Sequence, residues 1–288
     1  MTIQLECKFN KNRDRDINTA VHGNGVDIIT ILKSNSEHID KISLDYSNGI
    51  SYTVDLLTLR IQLGQLAIYE AKINHDIKRA KELYYLSALA IIKALEHSTA
   101  TFVLGGTPCL PEFALPLVCD ATTLYPLFAQ LTEEKSLALA EQGSWASIMR
   151  CYQAALIKDW AEIERMIAIL QKKFAKLKAN ANVVYYIEFF QALLNNNTDD
   201  VEASLRTLLT PPLVVKQNSE WPKRSHEGEY MCHFGMPFAK LAWILGHEIE
   251  IQHPLIVSEL LPVRPLEHYH NPYPFLEPAE STWALLNS

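Results

Sequence analysis

Proline divides this 288-residue chain. Eight of the fourteen prolines lie at or beyond Pro222. A proline has no backbone N–H and its ring clashes with the preceding turn, so the last quarter of the chain cannot be mostly helix. From Tyr52 to about His97 and again from Trp145 to Leu209, by contrast, the apolar residues recur at helical spacing, with a glycine- and proline-bearing connection from Phe102 to Pro116 between them. Leu56, Leu59, Leu63, Leu66 and Ile73 fall on one face of a long helix. Asn74 and His75 interrupt it, Asp76 is placed to cap a successor, and a second helix is predicted to about His97, with Ala80, Leu83, Tyr84, Leu86, Leu89, Ala90 and Leu95 apolar. The two make an antiparallel hairpin.

An approximate repeat follows. Trp145 to Leu170 and Val183 to Leu209 each read as helix, polar turn, helix. Tyr152-Gln153-Ala154 aligns with Phe190-Gln191-Ala192 at an offset of 38, and Ala161-Glu162 with Val201-Glu202 at 40. Periods of that size belong to stacked helical hairpins that bury their apolar faces on one another. Asp159 and Asn197-Thr198-Asp199 stand where helix amino-terminal caps are expected. Pro211-Pro212 closes the region.

Beyond it the pattern predicts a polar loop over 211–228 and a last helix from about Glu229 to Leu245, stopped by Gly246. Glu248-Ile249-Glu250-Ile251-Gln252 then alternates with period two, as an extended segment does when its isoleucines point inward. The remainder reads as a proline-rich strap laid over the helices and anchored by Leu255, Ile256, Leu260, Leu261, Leu266, Tyr269, Tyr273 and Phe275. The expected fold class is all-α: antiparallel, repeat-like hairpins with packing similar to tetratricopeptide units, a short extended segment and a C-terminal strap. One domain spans 1–288, with an irregular amino-terminal segment at 1–49, hairpins over 50–210, the loop, and the terminal helix and strap over 229–288.

A net charge of -7 argues against nucleic-acid binding, which needs clustered Lys and Arg to neutralise phosphate. Five widely spaced cysteines without a C-x-x-C pair suit a reducing compartment. The start carries no apolar run of the signal-peptide kind, and the longest apolar stretch, near Leu83 to Leu95, falls short of the roughly 20 residues of a membrane span. A cytoplasmic protein that enters no membrane is the expectation.

The search for chemistry returns weak candidates. Gly105-Gly106-Thr107 matches no phosphate-binding fingerprint and reads as a turn. His226, Glu229 and His233 share a helical face only if Gly228 is helical, and they match neither H-E-x-x-H nor E-x-x-H, so a polar helix entrance outweighs a metal site. His268 and His270 alternate in the strap without a third ligand. Cys232 and His233 are sequence neighbours that diverge by about 100° on a helix, poor geometry for an activated thiol, and a core cysteine is expected. The chain carries neither G-x-S-x-G nor S-x-x-K. The expectation is therefore a non-enzyme that uses no cofactor and no metal; a metal-dependent hydrolase is the remotest alternative. The acidic residues Glu227, Glu229, Glu248, Glu250, Glu259 and Glu267, with Asp199, Asp200 and Glu202 at a repeat turn, suit a docking face for a basic partner, against a merely solvating role. Trp221, Trp243, Tyr269, Tyr273 and Trp283 suit either interface anchors or pins for the strap.

The stretch from Gly235 to Leu276 resembles the Imm49 family of bacterial immunity proteins. The resemblance is carried by Gly235-Met236-Pro237, Gly246, Glu248-Ile249-Glu250-Ile251, Pro254-Leu255-Ile256, Leu260-Leu261-Pro262 and the tyrosine-bearing run from Tyr269 to Phe275. It implies a helical protein that binds and blocks a cognate toxin made by the same cell, encoded by an adjacent gene, and it brings no catalytic residues. Residues shared by inhibitors of differing toxins are expected to hold the scaffold, which places the toxin contacts on a variable helical turn, Asn195, Asn196, Asn197, Asp199 and Asp200; as acidic docking residues Glu202, Glu248 and Glu250 are expected to face the partner as well. The alternative is a tetratricopeptide-like scaffold whose groove takes a peptide or protein partner.

Overall fold

The computed structural model describes residues 37–42, 44–45, 53–97, 114–130, 134–174, 181–210, 213 and 231–284. Most of the amino-terminal segment, the Gly105-Gly106-Thr107 turn, Pro211-Pro212 and the loop carrying Trp221, His226 and Glu229 lie outside them. Every regular element among the described residues is helical. Helix α1, Thr53–Tyr69, buries Leu56, Leu59 and Leu63, as its apolar stripe predicts. It widens into one π turn, Glu70–Asn74, that ends at His75 in the left-handed conformation. Asp76 then accepts the Arg79 N–H at 2.9 Å and starts α2, Ile77–His97. From Leu86 to Ile92 every residue of α2 is buried, so this helix is covered all round, and α1, the 3-10 turn Leu115–Cys119 and the strap turn Pro274–Leu276 all pack on it.

Two short helices, α3 (Leu124–Gln130) and α4 (Glu134–Glu141), lead to the repeat. Its helices are α5 (Trp145–Leu156), α6 (Trp160–Phe174), α7 (Ala181–Leu194) and α8 (Thr198–Leu208). The two hairpins turn in the same way. Lys158 and Asn196 take φ of 58° and 51°. The next N–H groups, of Asp159 and Asn197, reach back to Ala154 O at 2.9 Å and Ala192 O at 3.1 Å, the closing bond of a Schellman turn. Asp159 and Asn197 then cap α6 and α8, accepting from Glu162 N, and from Asp199 N and Asp200 N. The expected change of offset from 38 to 40 is therefore wrong. The helix ends that flank each turn, the turns and the caps correspond at 38, and the buried Ile163, Ile167 and Leu170 match Val201, Leu205 and Leu208. The likeness of Ala161-Glu162 to Val201-Glu202 is a coincidence of sequence, because backbone geometry sets the turn length.

The last large helix, α9, spans Gly235–Ile244 and so begins later than expected at Glu229. Residues 231–234 look helical in their apolar content, yet their backbone is engaged elsewhere: Cys232 N donates to Leu255 O of the strap at 2.9 Å. A side chain at Gly235 would have no room, since a Cβ there would sit 2.5 Å from Leu209 Cδ2 and 3.0 Å from Cys232 Sγ. Helix α9 packs against α5, α8 and the Leu115–Cys119 turn, and so ties the repeat to the turn that packs on α2. Phe238 at its centre meets the rings of Tyr152, Tyr186, Phe189 and Phe190 at centroid distances of 5.7, 5.1, 5.0 and 5.7 Å. Gly246, at φ 93°, ends the helix as its position predicts.

After α9 the chain behaves as expected of an extended segment and strap. Ile249 and Ile251 are buried while Glu248, Glu250 and Gln252 are exposed. Leu255, Ile256, Leu260 and Leu261 are buried, and Tyr269, Tyr273 and Phe275 pack on the core. A short helix α10, Glu280–Ala284, follows, with Thr282 Oγ1 and Ala279 N both donating to Glu96 of α2.

Candidate functional site

Two stretches far apart in sequence meet at the amino-terminal end of α8. Thr198 Oγ1 and His247 Nδ1 share a hydrogen bond at 2.9 Å. Glu202 accepts the Glu250 N–H at 2.9 Å, and Arg206 donates both to Glu202 and to Glu250 O. The residues expected to face a partner, Asn195 to Asp200 with Glu202, Glu248 and Glu250, are thus brought onto one surface. Their roles there divide. Asn197 serves the fold as a cap, and the Glu202 carboxylate serves it as a brace for the extended segment; these contacts hold its carboxyl below the usual range. Asp199, Asp200, Glu248 and Glu250 are exposed, and their carboxylates enter no ion pair among the described residues.

The histidine and cysteine candidates fare differently. Cys232 is fully buried and its Sγ accepts the Gly235 N–H at 3.1 Å. Burial pushes its thiol up to about 11, and Cys119 to about 12, so both thiols are protonated rather than nucleophilic near neutral pH. His233 is buried, and desolvation together with the nearby Arg60 pushes it down to about 3, which keeps it neutral. His268 and His270 are exposed in the strap. Among the described residues no three His, Cys, Asp or Glu side chains group as metal ligands, and no helix is long and apolar enough to cross a membrane. A cleft between the Leu115–Cys119 turn, α3 and α5, lined by Leu117, Phe128, Met149 and Tyr152, has room for about one water molecule.

Sequence periodicity missed a set of buried cations. Lys240 of α9 is fully buried; its ammonium donates to the carbonyls of Leu260, Leu261 and Pro262 at 2.8, 3.0 and 3.1 Å and pairs with Asp120. Lys81 of α2 pairs with the other oxygen of Asp120 at 2.6 Å and donates to Arg264 O at 2.7 Å. Asp120 also accepts the Arg264 N–H at 3.1 Å. Burial outweighs the pull of Asp120 and brings Lys240 down to about 8. Along the same strap Arg206 holds Glu250 O, Lys72 holds Pro254 O at 2.8 Å, and Lys93 holds Glu277 O at 3.0 Å. Tyr269 completes the attachment by donating to Cys119 O at 2.6 Å and stacking near Tyr85 at 4.8 Å. Tyr269, Tyr273, Trp243 and Trp283 therefore pin the strap and α9 to the core. The signal for the clamp lay in Lys240 itself, the one charge in the apolar run Gly235 to Leu245, because a charge inside an apolar helix must find partners.

Compared with family models, with curated proteins and with solved structures, the chain finds no match.

Proposed function

We propose that this chain is an immunity protein that neutralises a cognate toxin by stoichiometric binding. The observation that carries the reading is the resemblance of the Gly235 to Leu276 signature to the Imm49 family. The places of those residues support it. Gly235 fits a gap without room for a side chain, Gly246 ends α9, and Ile249, Ile251, Leu255, Ile256, Leu260 and Leu261 are buried. A signature made of such positions preserves a scaffold and leaves the outer turns free to vary with the toxin. An acidic chain suits a basic target, since complementary charge speeds encounter and rejects wrong partners.

The peptide-scaffold alternative has less support. In stacked helical hairpins the inner face takes the ligand, and here the rings of Tyr152, Tyr186, Phe189 and Phe190 are occupied by Phe238 of the chain's own α9. The test is co-expression with the toxin encoded beside the chain's own gene. Protection of the cell and a stable complex on size-exclusion chromatography are expected; neither protection nor complex formation would sink the reading.

A further inference from the structure

We infer that Ile157 and Trp160, at the tip of the first repeat hairpin, are the apolar anchor with which the chain grips a protein partner of basic surface. This rests on the reading of the chain as a toxin inhibitor, and it names where the grip lies. The second hairpin serves as an internal control. Its turn has the same length, a left-handed residue at the same place, the same closing bond and a side-chain cap at the same position, yet it carries Asn195 and Thr198 where the first carries Ile157 and Trp160. Turn geometry therefore does not call for apolar side chains at these two places. They are nonetheless 46% and 37% exposed, whereas Trp145, Trp243 and Trp283 pack on the core. A large aromatic beside a branched aliphatic on an otherwise polar surface is the usual composition of a binding hot spot.

The charge around the tip sets the sign of the partner. The helices of the stack alternate in direction, so the α5–α6 and α7–α8 turns lie at the same end. Arg150 and Arg165 neutralise Glu162 and Glu141, and Arg206 neutralises Glu202. The exposed carboxylates of Glu164, Asp199, Asp200, Glu248 and Glu250 enter no ion pair among the described residues, and Lys158 is the exposed cation on the tip itself. An apolar centre with a carboxylate rim fits a surface that offers an apolar pocket among Lys and Arg, and like charge disfavours a second copy of this chain.

The test uses the whole chain and, as probe, the catalytically inactivated product of the adjacent toxin gene. The variant Ile157→Asn/Trp160→Thr copies the second turn onto the first, so its helical content and melting temperature should match those of the parent. Binding is expected to weaken at least about 100-fold, mainly through faster dissociation. Asp199→Asn/Asp200→Asn is expected to slow association several-fold and to flatten its salt dependence. Hydrogen exchange in the parent complex should slow over 157–164, a readout that needs no variant. A parent that binds while the double variant binds within about threefold of it, or while 157–164 gains no protection, overturns this assignment and leaves the inhibitor reading standing. A parent that does not bind overturns both.

Discussion

The repeat hairpins and the strap solve the same problem, satisfying a buried backbone, in opposite ways. In α5 to α8 the chain largely satisfies itself: helical bonds, matched turns and local caps use up most backbone polar groups, and the contacts between these helices are mainly apolar, with the Arg150–Glu162 ion pair joining α5 to α6. The strap has six prolines from Pro254 to Pro278 and no partner strand among the described residues, so its carbonyls need donors from elsewhere. Long basic side chains on the helices supply them, with Lys240 alone serving three carbonyls. The hairpins are therefore tolerant and local, whereas the strap depends on a few charges whose removal strands other charges.

The largest effect should come from Asp120. Asp120→Ala leaves the ammonium groups of Lys81 and Lys240 facing each other in the interior, and breaking one partner of a buried ionic group costs about 3–5 kcal/mol. Denaturant unfolding measures the loss. Hydrogen exchange locates it, with amides of 255–266 expected to lose protection before those of 186–193. Equal loss in both would mean that strap and hairpins form one cooperative unit, and the contrast drawn above would fall.

Next in size is acid sensitivity. His233 has a folded value of about 3 against roughly 6.5 unfolded, so between those values the unfolded chain binds a proton that the folded chain refuses. Stability is intact above about pH 6.5 and falls as pH drops, by about 1.4 kcal/mol per unit for this residue. His247 and His253, also lowered by burial, steepen the slope. Urea midpoints at pH 7, 6 and 5 should decline in the parent and decline less in His233→Gln. Parallel slopes would show that His233 is protonated in the fold.

How much of this was readable in the sequence follows the same division. The helices, the caps at Asp159 and Asn197, the stop at Gly246 and the apolar anchors of the strap other than Leu266, which does not join the core, were legible because each depends on neighbours within a turn or two. The charge clamp was not, because Lys81, Asp120 and Lys240 acquire meaning only when three distant segments meet, and a lone lysine in a helix ordinarily faces water. The start of α9 was misplaced for a related reason: the backbone at Cys232 bonds to the strap, and nothing in its own neighbours says so. Of the residues expected to face a partner the sequence could indicate exposure and charge, but not that Glu202 and Asn197 are already engaged by the fold.

The hairpin caps should show the tolerance of the other region. Asp159→Ala and Asn197→Ala each remove a side-chain acceptor from the first turn of a helix, for about 1 kcal/mol apiece. The two losses should be alike and additive, because the sites are equivalent and share no partner. A cost several times larger at either one, measured by thermal or urea unfolding, would mark that turn as coupled to the strap.

The smallest change sharpens the comparison most. Lys158 and Asn196 are left-handed at equivalent turns, with φ of 58° and 51°. A lysine pays for that conformation through its Cβ by roughly 1 kcal/mol, whereas asparagine tolerates it better. Lys158→Gly should therefore raise stability by up to about 1 kcal/mol, and Asn196→Gly by less. The gain at Lys158 should persist in the Asp120→Ala background, since a turn that closes on its own carbonyls does not feel the strap. Failure of the two effects to add, read from unfolding midpoints of the single and double variants, would show that strain at the hairpin tip is relayed to the clamp, and the two regions would then have to be treated as one.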